Sequence, residues 1–302
     1  MFLKNNMSKT IHEPVLLREV LDGLNPQPNQ NHIDCTYGGG GHSKAILERI
    51  KPNGKVIGID LDPAVKKLNH DKNLVLVNDN YKNLKKIINE LGITKINGVL
   101  LDLGLSSDQL GSGDRGFSFQ GEGFLDLRFD PTSDRPTAAE ILKNYSEKEL
   151  LEIFKNYGEE PLAWPITKQI IAKRQSGEFI ETADMLVQLI SEQYRKKYRH
   201  KSKHNPATKV FQALRIAVND EYGNIEQVLP DAINSLAVGG RLAVISFHSG
   251  EDRIVKHFFK NAAVKDFPKI KIITKRPIVA SDEEVLKNPR SRSAKLRVVE
   301  KI

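Results

Sequence analysis

With 302 residues, 39% hydrophobic and 28% charged, and a formal net charge of +8, the chain has room for one large domain or two smaller ones. Its one cysteine, Cys35, excludes an intramolecular disulfide and a multi-cysteine zinc site, and no run approaches the ~18 uninterrupted apolar residues of a membrane span. The basic balance points to a polyanionic partner, most often nucleic acid; residues 1–10, polar and without the apolar core of a secretory signal, are expected to be disordered, and the cytoplasm is the expected compartment.

Leu16, Leu17, Val20, Leu21 and Leu24 recur at helical spacing and predict a helix over 14–24, with Pro14 in its first turn and His12 and Glu13 just ahead of it. Next comes the stretch around which the chain is organised. A short β-type run ending in Asp34-Cys35 meets four glycines, Gly38 to Gly41, and then a helix over 43–50 closed by Pro52-Asn53-Gly54. Glycines at a strand-to-helix turn let backbone approach a ligand closely, which favours a ligand cradle over a plain flexible connection. Residues 55–60 predict a second strand closing on Asp60, near the ~20-residue offset from such a loop at which a carboxylate accepts ribose hydroxyls; capping a helix, as Asp62-Pro63 beside it would, is the alternative. A third strand over 74–77 leads to Asp79 and Tyr81, either of which could face an adenine ring. The apolar run 97–102 predicts a fourth strand, with Asp102 and the small polar residues up to Ser107 at its carboxyl edge.

The alternation then stops. Residues 111–134 are rich in glycine, phenylalanine and charge without a period, as in loops that carry function. Helices are expected from Thr137, over 146–156 behind a Ser146–Glu149 capping box, over 161–175 and over 182–194. This set ends in the most basic stretch, where Arg195, Lys196, Lys197, Arg199, Lys201 and Lys203 occur without an acid; phosphate contact is one reading and a solvated charge run the other. A helix over 207–219 follows, then one over 225–236 closed by Gly239-Gly240, a strand over 241–246 with Phe247-His248-Ser249 at its carboxyl end, a helix over 254–259, and strands over 270–274 and 296–299. Between the last two, Arg290 and Arg292 form a second acid-free basic patch.

The dinucleotide pattern G-x-G-x-x-G is met only loosely, since Ser43 stands where its third small residue belongs, and a Gly-Lys-Ser/Thr phosphate loop is absent. NAD and ATP are therefore disfavoured, and a nucleoside held through its ribose by Asp60 fits better, S-adenosyl-L-methionine being the commonest such cofactor. The expected fold is an α/β, Rossmann-like sheet over 11–110 and 206–302, with an inserted all-helical domain over 111–205.

The ordered motifs His12-Glu13-Pro14-Val15-Leu16-Leu17, Asp34-Cys35-Thr36-Tyr37 with Gly38 to Ser43, Gly58-Ile59-Asp60-Leu61-Asp62-Pro63, Leu101 to Ser107, Arg115-Gly116-Phe117-Ser118-Phe119, Tyr157-Gly158-Glu159-Glu160, Phe211 to Ile216, Ser246 to Ser249 and Asn288 to Ser293 together resemble the bacterial small-subunit rRNA cytosine-N4 methyltransferases, the RsmH or MraW family. The resemblance runs from about His12 to the C-terminus and implies that the sheet is of the S-adenosylmethionine-dependent methyltransferase type, with the helical insertion as its substrate-recognition domain. It implies a methyl donor bound at the glycine loop through Gly40, Gly41, His42, Asp60, Tyr81, Asp102 and Gln109. The substrate it implies is a cytosine of 16S rRNA near the ribosomal P site, and it is compatible with a homodimer. Gly250 departs from a commoner larger residue, without consequence for the activity.

The residues allow that chemistry. Attack on carbon 5 of a pyrimidine needs a cysteine thiolate, and Cys35 belongs to the end of the first strand; direct transfer to an exocyclic amine needs only alignment. Asp102 is the expected group for positioning the amine, His42 and His248 are expected to position rather than to act as bases, and no histidine-based metal site is expected. The basic patches are expected to grip RNA phosphates around an extruded base. Rival readings are a methyltransferase of another RNA or a protein, a non-catalytic RNA-binding or ribosome-assembly protein and, last, an NAD-dependent oxidoreductase.

Overall fold

The runs expected as strands line up in one sheet. The computed structural model describes residues 14–63, 65, 71–104, 115–118, 123–198, 205–264 and 269–302. Strands β1 (His32–Asp34), β2 (Val56–Asp60), β3 (Leu74–Asn78), β4 (Ile96–Asp102), β5 (Leu236–Ser246), β6 (Ile270–Ile272), β7 (Ile278–Val279) and β8 (Lys295–Lys301) lie in the order β3-β2-β1-β4-β5-β8-β6, with β7 also pairing with β8. The first five strands are parallel, and β8 runs antiparallel to β5, β6 and β7. This is the doubly wound α/β fold. Its strand order reverses between β1 and β4, so the carboxyl ends of β1, β2 and β4 border the crevice where such sheets bind ligands.

The chain divides into two compact units. Described residues up to Asp60, from 65 to 104 and from Asp231 onward form the sheet unit; 61–63 and those of 115–230 form the second. In the sheet unit, α1 (Leu17–Leu24) and α2 (Gly41–Ile50) bury Leu16, Val20, Leu24, Ile46 and Ile50 in one cluster with Leu100, Ala243, Ile245, Leu296 and Val298. Each of the Leu, Ile and Val side chains contributes roughly 1.5–3 kcal/mol relative to leaving it exposed. The near-continuous burial of β4 and β5 is the pattern of strands covered on both faces. The remaining helices there are α3 (Leu84–Glu90), α10 (Ser249–Ala262) and α11 (Asp282–Lys287), and α9 (Glu221–Ser235) passes from one unit to the other at Pro230. No helix among the described residues is long and apolar enough to cross a membrane.

The second unit is helical: α4 (Ala138–Asn144), α5 (Glu147–Asn156), α6 (Ala163–Gln175), α7 (Ala183–Lys197) and α8 (Thr208–Asn219), with α5 packed on α6 and α8, α4 on α8 and α6 on α7. Because α8 packs against α4 and α5, this unit continues to Pro230 rather than stopping at 205. The capping box at Ser146 and Glu149 is present, and Thr137 and Glu140 make another. The described part of the aperiodic stretch is tied down by side chains: Arg128 makes a bidentate pair with Asp126 (2.6 and 3.0 Å), and Asn219 donates to the Leu127 carbonyl and accepts from the Phe129 N–H, both at 2.8 Å.

Several boundaries differ from the sequence reading. Gly239-Gly240 does not close a helix but lies inside β5, which starts at Leu236; Gly239 at φ +80° allows the register shift opposite Ile96 and Gly98. Arg195, Lys196 and Lys197 form the last turn of α7 instead of a separate charged run, where cations complement the helix dipole. Strand β7 and helix α11, too short to show a period, were not expected from the sequence.

Candidate active site

The glycine loop is anchored at both sides by backbone bonds. Cys35 N–H donates to the Leu100 carbonyl on β4 (2.9 Å) and Tyr37 N–H to that of Ile59 on β2 (3.0 Å). Gly40 sits at φ +73°, and a Cβ there would lie 2.5 Å from the Tyr37 hydroxyl oxygen; a Cβ on Gly41, the first residue of α2, would collide with the Pro14 ring. Beside them Gly39 has nothing within 4 Å of where its Cβ would stand. The loop is closely backed on one side by the buried Tyr37 ring and open at Gly39. That is the form of a cradle.

Asp60 Oδ2, at the end of β2, accepts the Gly38 N–H at 2.7 Å, so the acid and the loop that the sequence pairs by spacing are joined directly. Tyr81 opens a short 3₁₀ turn after β3, and Asn80 caps that turn by accepting from the Lys82 N–H. Register places Asp60 beside Asn78.

At the ends of β1 and β4 two carboxylates and an imidazole come together. Asp34, 1% exposed, accepts from Ser43 Oγ (2.7 Å) and the Thr36 N–H (3.2 Å); burial nevertheless pushes its pKa up. The Asp102 N–H donates to Thr36 Oγ1 (2.7 Å). Burial raises the Asp102 pKa to about 6, the Asp34 charge adding to the rise and His42 opposing it, and Asp102 Oδ1 is buried with no hydrogen-bond partner among the described residues. His42, also buried, has Nε2 3.0 Å from the Val15 carbonyl and Nδ1 3.6 Å from Asp102 Oδ2. A carboxyl group held near neutrality at a crevice can change protonation state at working pH, which marks a functional candidate.

Phe247, after β5, packs its ring over Gly104, so an aromatic face joins the edge that carries Asp102. His248 caps α10 and Glu251 accepts from the Phe247 N–H at 2.8 Å, placing His248 at a helix entry. Asp34 and Tyr37 join the site without being among the site residues expected from the sequence. For Asp34 the signal was present, an acid at a strand's carboxyl end like Asp60 and Asp102; for Tyr37 only the packing reveals it.

The sequence pattern of the MraW methylase family matches residues 9–302. The chain belongs to that family. It is 46% identical to the ribosomal RNA small subunit methyltransferase H of Heliobacterium modesticaldum, over 96% of this chain and 98% of the relative, and 45% identical to the protein of that name from Thermomicrobium roseum, over 97% and 94%. This methylase has its one cysteine, Cys35, buried at the end of β1, and burial pushes the thiol well above its ordinary range, so a thiolate nucleophile is not available there. The two basic patches lie on different units of the methylase. Arg195, Lys196 and Lys197 are exposed on the last turn of α7, and Arg290 and Arg292 are exposed in the 3₁₀ turn Pro289–Ser293 that leads into β8. Gln109, Arg199, Lys201 and Lys203, together with His12 and Glu13, lie outside the described residues.

Proposed function

We propose that this methylase transfers a methyl group from S-adenosyl-L-methionine to the exocyclic N4 of a cytosine in 16S rRNA, near the ribosomal P site of the small subunit, in a single in-line step. The observation that carries the reading is Asp102: a carboxylate with an unsatisfied buried oxygen, at the strand end next to the cradle, is a ready acceptor for an amine N–H. The names of the relatives support the rRNA substrate, and the buried Cys35 supports transfer to nitrogen rather than to ring carbon.

The cradle suits the donor: Gly40 and Gly41 admit only backbone against Tyr37 and Pro14, and Asp60 is fixed on the loop. Gly40, Gly41, His42, Asp60, Tyr81, Asp102 and Gln109 are proposed to hold it, Asp60 through the ribose. Bound there, S-adenosylmethionine supplies an electrophilic methyl group on a sulfonium. Asp102 in its ionised form accepts a hydrogen bond from the cytosine amine and holds the nitrogen in line; His42, fixed by Val15, lines the site beside it. Alignment rather than covalent chemistry is the main source of rate. Arg195, Lys196, Lys197, Arg199, Lys201, Lys203, Arg290 and Arg292 are proposed to bind RNA phosphates, and the helical unit to recognise the substrate. The protein acts in the cytoplasm on this reading.

The test is methyl transfer from labelled donor to small ribosomal subunits taken from cells that lack the protein, with the product nucleoside identified by mass spectrometry. N4-methylcytidine in 16S rRNA is the expected product. A different methylated nucleoside, or label in protein, overturns the assignment of atom or substrate while leaving the methylase itself standing.

A further inference from the structure

A buried carboxylate ties together the two segments of the helical unit that carry the exposed aromatic residues Trp164 and Tyr198. Glu160 Oε1 accepts both the Leu162 N–H and the Tyr194 hydroxyl, each at 2.8 Å. The first bond sets the entry to α6, whose second residue is Trp164; the second clamps the final turns of α7, which Tyr198 caps by donating its N–H to the Tyr194 carbonyl at 2.8 Å. The Tyr194 and Tyr198 rings are 5.7 Å apart. Trp164 is 57% exposed and Tyr198 45%, although α7 has buried positions available at Leu186, Leu189 and Ile190. The surrounding charge is basic: Arg195, Lys196 and Lys197 are exposed beside Tyr198, and Lys168, paired with Glu147 at 2.9 Å, stands 5.8 Å from the Trp164 ring centroid. Glu192, one turn earlier, and Glu159, next to Glu160, are exposed acids.

Exposed rings set among cations are how proteins hold single-stranded nucleic acid, since every base has a face to stack and every phosphate a charge to pair. An enzyme that draws a base out of its stack works on RNA that is locally unpaired. We propose that this part of the helical unit is a stacking platform for unpaired bases of the RNA substrate, with Tyr198 and Trp164 as the stacking rings and Arg195, Lys196 and Lys197 pairing with the adjoining phosphates. The proposal rests on the reading of RNA as substrate and adds the residues that hold its single-stranded part.

Trp164 is the chain's one tryptophan, so its emission reports on this surface directly. The full chain is titrated with a single-stranded oligocytidine of about 12 nucleotides, within the range of site sizes for such surfaces, following Trp164 emission and, separately, the anisotropy of an end-labelled oligonucleotide. Saturable quenching is expected. Tyr198→Ala should weaken binding about tenfold, Tyr198→Phe, which keeps the ring, should restore it, and Trp164→Leu should weaken it in the anisotropy assay. Heparin, a polyanion without bases, should not quench. Binding without quenching, equal affinity of Tyr198→Ala and the parent, or equal quenching by heparin each overturns the platform. Those outcomes leave the RNA reading intact if the parent protein still methylates small subunits; a parent that neither binds the oligonucleotide nor methylates the subunit removes both.

Discussion

His42 Nδ1 stands 3.6 Å from Asp102 Oδ2 while His42 Nε2 lies 3.0 Å from the Val15 carbonyl. A carbonyl only accepts, so the ring proton belongs on Nε2, and a bare Nδ1 lone pair then faces the carboxyl group. At 3.6 Å the contact is electrostatic rather than a hydrogen bond. Burial raises the Asp102 pKa to about 6, so the proton that relieves this contact is the carboxyl group's own.

Asp102→Asn should separate the two consequences of that burial. The Asp102 pKa is raised from 3.8 to about 6, so its neutral form is favoured by folding: the stability it contributes is present below pH 3.8 and is lost as pH rises through 6. The asparagine variant has no such loss. Its unfolding free energy should match that of the parent near pH 4 and exceed it above pH 7, by up to about 3 kcal/mol at 1.36 kcal/mol per unit of pKa, with a correspondingly higher melting temperature. Methyl transfer should fall about 100-fold in the variant and, in the parent, should decline as pH drops below about 6. Thermal melts and kcat/KM across pH 4 to 8 check both.

Gly40→Ala places a Cβ at φ +73° against Tyr37 and should cost about 1–3 kcal/mol with a loss of donor affinity. Gly39→Ala meets nothing within 4 Å and should leave the unfolding midpoint unchanged. Urea unfolding and calorimetric titration of the donor distinguish the two neighbours.

Ser43→Ala removes the 2.7 Å donor from Asp34 Oδ2. The buried charge is left less satisfied, at a cost of about 1–3 kcal/mol. Because the Ser43 bond favours ionised Asp34 and burial opposes it, the loss should be full at alkaline pH and shrink as pH falls and Asp34 takes up its proton. Urea unfolding at pH 8 and pH 5 shows whether it does.

Arg290→Gln with Arg292→Gln should weaken RNA binding and make the slope of log K against log salt concentration shallower by about 1.4, about 0.7 for each phosphate contact on a single strand. Donor affinity should not change. A salt slope equal to the parent's takes these two arginines out of the RNA interface.

Signals that act within one or two turns of chain were legible in the sequence. The Ser146–Glu149 capping box depends on backbone and side chains three residues apart, and the apolar run ending in Asp102 needs only its own composition to read as a buried strand; both are found where the sequence puts them. The glycine loop and Asp60 are also readable together, because one βαβ unit fixes their spacing, and the Asp60–Gly38 bond is its result. Tertiary structure decided the rest. Asp34, His42 and Asp102 meet because β1 pairs with β4, Asp34 opposite Leu100, while α2 folds back over the sheet, and no local period encodes that convergence. Arg195 to Lys197 continue α7 because one face of that helix is buried and its end is tied to Glu160; Gly239 bends a strand instead of ending a helix because β5 has to stay in register with β4 on both sides of a shift. Short-range backbone chemistry belongs to the sequence alone, whereas the protonation of Asp102 and the tie that Glu160 makes between Leu162 and Tyr194 depend on burial and contacts that exist only once distant segments pack.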